Sequence, residues 1–91
     1  MDYTEYAEIT ERLIDKYRDQ MSDADRSRLD SAVAGGEHGY AAEDLVVALA
    51  DLKIVVTPEE GNDLRRLWAA TKGRTASENT IDGLTIAPDP P

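Results

Sequence analysis

Apolar side chains return every three to four residues through most of this chain, a spacing that commits it to helices burying one face each. Tyr6, Ile9, Leu13, Ile14, Tyr17 and Met21 predict a first helix over about Thr4 to Gln20. At about 100° per residue, Glu5, Glu8, Glu11, Asp15 and Asp19 fall on its opposite side. A second helix is expected from Asp23 to Ala34, with Ser22 as its cap, Asp25 in the first turn and Leu29, Ala32 and Val33 as its apolar stripe. Gly35-Gly36 ends it, because glycine enters the left-handed conformation that closes many helices. The third helix, roughly Tyr40 to Lys53, is apolar over most of its circumference through Ala42, Leu45, Val46, Leu49 and Leu52. It is therefore expected at the centre, leaving outside a strip of Tyr40, Asp44, Val47 and Asp51.

Ile54-Val55-Val56 reads as a short extended linker. Thr57-Pro58-Glu59-Glu60 then carries the strongest local signal: a capping threonine, a proline at the first helical position and a glutamate able to close a capping box. The fourth helix should run to about Lys72 with Leu64, Leu67, Trp68 and Thr71 on one face, weakened at Gly61 and stopped by Gly73. Beyond Arg74 the periodicity fades into Thr, Ser, Asn, Asp and Gly, ending in Pro88-Asp89-Pro90-Pro91. Residues 74–91 are expected to form a flexible tail, with Thr80, Ile81, Leu84, Thr85 and Ile86 as a patch able to dock. The reading is thus an all-α fold, a small four-helix bundle over residues 1–73 with a flexible C-terminal tail.

Ninety-one residues suit one domain, and the absence of Phe leaves a core of aliphatics, Tyr and Trp, too small to wall an enclosed active site. Without cysteine there is no disulfide, thiolate metal site or cysteine nucleophile. The acidic start, Met1 to Tyr6, is unlike a secretory signal. The longest apolar stretch, Leu45 to Val56, is broken by Asp51 and Lys53, well short of the ~20 residues that span a bilayer. A cytoplasmic protein without membrane partners is expected.

A formal net charge of −9, from 19 acidic and 10 basic residues, argues against direct binding to nucleic acid and favours a basic protein partner. Enzyme signatures are missing. His38 is the lone histidine and reads as an exposed loop residue, no calcium loop or phosphate-binding loop is present, and neither metal nor cofactor is expected. Two features suit binding. One is the acidic stripe of Glu8, Glu11, Asp15 and Asp19, whose i, i+4 like charges disfavour an isolated helix. The other is the run from Glu37 to Asp51, where Glu37, Tyr40, Glu43, Asp44, Val47 and Asp51 mix an aromatic anchor, apolar area and steering charge.

The segment Gly36-Glu37-His38-Gly39-Tyr40-Ala41-Ala42-Glu43-Asp44-Leu45, followed by Leu49, Leu52 and Thr57-Pro58-Glu59-Glu60, resembles a pattern in small bacterial immunity proteins of the MafI type. That pattern is a "GE-x-G-x-A-x-E-x-L" turn and helix, a second Leu-rich turn and a "T/S-x-E-E" helix start. Ala42 stands where a Leu is usual, Asp44 adds a charge, and the resemblance covers about Ile9 to Lys72. It implies an all-α protein that binds and neutralises a cognate polymorphic toxin, often a nuclease, with Glu37 and Glu43 at motif positions that suit capping and orienting the loop. Two other classes fit the composition: an acidic nucleic-acid mimic that inhibits a DNA- or RNA-binding protein, and a helical adaptor or regulatory module that holds a peptide in an apolar groove.

Overall fold

The computed structural model describes residues 1–88; Asp89, Pro90 and Pro91 of the expected tail lie outside the described residues. The chain is mainly helical, in the order α1 (Tyr3–Tyr17), a 3-10 turn (Arg18–Gln20), α2 (Asp23–Ala34), α3 (His38–Asp51), β1 (Val55–Val56), α4 (Pro58–Ala70), a second 3-10 stretch (Glu78–Gly83) and β2 (Thr85–Ile86). The helix starts follow local chemistry. Asp2 accepts from the Glu5 amide at 2.8 Å, and Ser22 from the Asp25 amide at 3.1 Å. At α4 the capping box closes both ways, Glu60 N–H to Thr57 Oγ1 at 3.1 Å and Thr57 N–H to Glu60 Oε1 at 2.9 Å.

Helix α3 is central, touching α1, α2, α4 and the second 3-10 stretch. Its Leu45, Val46 and Leu49 are fully buried with Leu13 of α1, Leu29 of α2 and Leu64 and Leu67 of α4. Both ends of α3 differ from the sequence expectation. Gly36 takes the left-handed turn at φ 74°, so the helix starts at His38. Its C-terminus is closed by Lys53 at φ 54°, with Ile54 N–H bonded to Leu49 O at 3.1 Å and Lys53 N–H to Ala50 O at 3.2 Å. That pair of bonds is the Schellman motif, here built on a residue with a Cβ.

The four helices are not the whole architecture. The segment expected to trail as a flexible tail is packed against α3 and α4. Arg74 donates to the carbonyl of Trp68 and, at 2.8 Å, to that of Thr71, closing the end of α4, while its guanidinium lies 4.8 Å from the Trp68 ring. The Glu43 carboxylate on α3 accepts the Thr75 amide at 2.8 Å and the Ala76 amide at 2.7 Å. Ile81 joins the core at 8% exposure. The segment ends in a parallel pair with β1, in register Val55 with Thr85 and Val56 with Ile86. Parallel neighbours need a long crossover, which α4 and the 3-10 stretch supply. Ile86 packs over Gly61: a Cβ there would sit 2.7 Å from Ile86 Cδ1, the free end of an exposed side chain that would have to turn aside.

Candidate functional site

Ion pairing sorts the surface. Arg12 pairs with Asp63 at 2.9 Å, Lys16 with Glu60 at 2.5 Å, Arg18 with Asp30 at 2.7 Å and Arg66 with Glu5 at 2.8 Å. Arg26 pairs with Asp23, Arg28 with Asp25, Arg65 with Asp82 and Arg74 with Glu78. Among the described residues, the carboxylates left with neither a cation nor a hydrogen bond are Glu8, Asp19, Glu37, Asp44, Asp51 and Glu59. Three of these, Glu37, Asp44 and Asp51, lie seven residues apart along α3. Seven residues are close to two helical turns, so Asp44 and Asp51 share one face roughly 10 Å apart, and Glu37 at the N-cap borders the same groove as Asp44.

Tyr40 and Val47 fill the same line, Tyr40 with 60% of its surface exposed and Val47 half-buried. Beside it α2 and α3 border a shallow, open groove of about 380 Å³, lined by Ser27, Arg28, Ser31 and Ala32 on one side and Glu37, Tyr40 and Asp44 on the other. Burial raises the Asp44 pKa, Arg28 opposes that rise, and the negative charges of Glu43 and Asp25 add to it. Glu37 stands at the N-cap of α3 without bonding the helix amides, so its carboxylate is free at the rim.

Two residues of the expected surface do not join it. Glu43 is 6% exposed and serves as the clasp for Thr75 and Ala76, on the flank of α3 that the C-terminal segment covers. The α1 stripe is also interrupted. Glu11 bonds His38 Nε2 at 3.0 Å, and Asp15 lies 4.0 Å from Arg18, leaving Glu8 and Asp19 unpaired at separate places. His38 is not the exposed loop residue expected. It is 9% exposed, with its Nδ1 2.7 Å from the Tyr3 hydroxyl, which also reaches Gly36 O at 3.2 Å. With both ring nitrogens engaged, the imidazole ties the start of α1 to the start of α3.

A second hollow of about 310 Å³ lies beyond Tyr40, bordered by Tyr3, His38, Thr71 and Lys72. Glu37 and Tyr40 line both depressions and form the ridge between them. Among the described residues no group of three or more His, Cys, Asp and Glu side chains is placed to hold a metal ion. No helix among them is long and apolar enough to cross a membrane. Comparison with protein-family models, curated proteins and solved structures gives no match for this chain.

Proposed function

We propose that this chain is an immunity protein that binds and neutralises a cognate bacterial toxin of nuclease type, laying the α3 strip against the toxin's basic active-site region. The observation that carries the reading is where uncompensated charge lies. Most cations of the surface are spent on intramolecular pairs, yet Glu37, Asp44 and Asp51 stay unpaired in one line with an exposed tyrosine. Such a line steers a basic partner and offers Tyr40 as an anchor between Glu37 and Asp44. The resemblance of the Gly36 to Leu45 segment to MafI-type immunity proteins supports the same conclusion. The mode of action is occlusion, and the chain itself performs no catalysis.

The nucleic-acid mimic fits less well. A duplex strand presents a phosphate about every 3.4 Å of helix axis, and carboxylates at intervals of roughly 10 Å are too sparse to imitate it. The adaptor reading draws on the exposed Leu52, Val55 and Ile86 near the strand pair.

The test is co-expression with the toxin domain encoded beside this chain's gene. The pair Asp44→Lys and Asp51→Lys should abolish protection without lowering the melting temperature, while Glu8→Lys with Asp19→Lys should leave protection intact. Protection that survives the first pair, or a gene with no toxin reading frame beside it, contradicts the proposal.

A further inference from the structure

Within the proposed docking face, the groove between α2 and α3 has a more specific chemistry than negative charge. Ser27 and Ser31 lie one turn apart on α2, opposite Tyr40 and Asp44, one turn apart on α3. The groove therefore offers neutral acceptors on one wall, and an aromatic ring followed by a carboxylate on the other. Ala32 contributes only a methyl group, which keeps the cleft open. Arg28 also lines it and its charge acts on Asp44, but its guanidinium is bonded to Asp25 and makes no ion pair with Asp44. Asp44 is half-buried and has no donor within hydrogen-bonding or ion-pairing distance among the described residues.

We propose that this groove is a socket for one arginine side chain of the protein partner, its guanidinium stacked on Tyr40 and bonded to Asp44. The inference rests on the docking reading above and names the group recognised there. A planar guanidinium can lie against an aromatic face while its forked N–H groups reach a carboxylate and nearby hydroxyls. An ammonium is a compact, strongly hydrated charge that satisfies Asp44 but gains less from the ring. Partial burial favours the same choice, since arginine sheds water more readily than lysine and stays charged when desolvated. The raised pKa of Asp44 accords with a carboxylate that burial has partly stripped of water and that lacks a donor of its own. Glu37 at the rim attracts the incoming cation without entering the socket.

The experiment needs no identified partner. The full chain, labelled with nitrogen-15, is titrated with hexa-arginine and hexa-lysine peptides at matched ionic strength. Amide shifts should concentrate at Ser27, Ser31, Tyr40 and Asp44, with hexa-arginine bound about tenfold tighter than hexa-lysine. Tyr40→Ala should bring hexa-arginine down to the hexa-lysine affinity, and Asp44→Asn should weaken both, with circular dichroism unchanged. Equal affinities that ignore Tyr40→Ala, shifts spread evenly over Glu8, Asp19 and Glu59, or no binding at all would overturn the socket. If protection is still lost in Asp44→Lys with Asp51→Lys, the docking face survives that failure. If arginine preference holds while protection ignores the reversal, the socket stands and the immunity reading falls.

Discussion

Glu60 joins three parts of the molecule, and removing its charge should reveal how much that junction contributes. Its carboxylate closes the α4 capping box and also accepts from Lys16 Nζ and from the Tyr17 hydroxyl, each at 2.5 Å. Burial alone would raise its pKa; the bonds from Lys16, the Thr57 backbone, Tyr17 and the Thr57 side chain outweigh that and hold it at about 2 against an ordinary 4.5. A carboxyl depressed on folding adds stability above its unfolded pKa and loses it as pH falls through the folded one, so the window is pH 4.5 to 2. Full linkage would give about 3 kcal/mol. The Lys16 partner is half-exposed and screened, which reduces the expected value to about 1–2 kcal/mol. Glu60→Gln retains a side-chain acceptor at the third helical position and removes the charge. Urea unfolding of both proteins should differ by that amount at pH 6, and the difference should shrink steadily from pH 4.5 towards 2. A gap that does not change with pH would refute the ionic account and leave only packing or capping.

Docking of the C-terminal segment makes two further predictions. Ile81→Ala should cost about 2–4 kcal/mol in urea unfolding, since Ile81 is a core residue and not part of a free tail. Glu43→Ala should speed amide hydrogen exchange at Thr75 and Ala76 by more than tenfold and destabilise by about 1–3 kcal/mol, as their charged acceptor is lost. At the end of α3, Lys53→Gly should stabilise by about 0.5–1 kcal/mol, because glycine adopts the left-handed φ of 54° without the Cβ penalty. Thermal melting checks this, and a lowered melting temperature would contradict it.

What the sequence made legible is local. Ser22 and Thr57 announce their helices because each cap bonds an amide three residues on, and the α1 face follows from spacing alone. For the C-terminal segment the sequence offers only the Thr80, Ile81, Leu84, Thr85 and Ile86 patch, because the remaining partners are distant: Glu43 lies 32 residues before Thr75, and a two-residue strand has no periodicity to read. His38 is buried by Tyr3 and Glu11, which only the packing of α1 on α3 brings to it. Within the candidate surface, Tyr40, Asp44, Val47 and Asp51 do share a line. Glu43 belongs elsewhere, and the sequence held a signal for that. At 100° per residue it falls about 70° from the strip's centre, next to Ala50, the residue that Gly83 approaches.

The most direct test of the docking surface is a structure of this chain bound to its partner. Tyr40 should lose nearly all of its accessible surface, and Asp44 and Asp51 should each face a basic side chain of the other protein. A complex in which those carboxylates remain in bulk water, while the partner covers α1 or the β1–β2 edge, would contradict it.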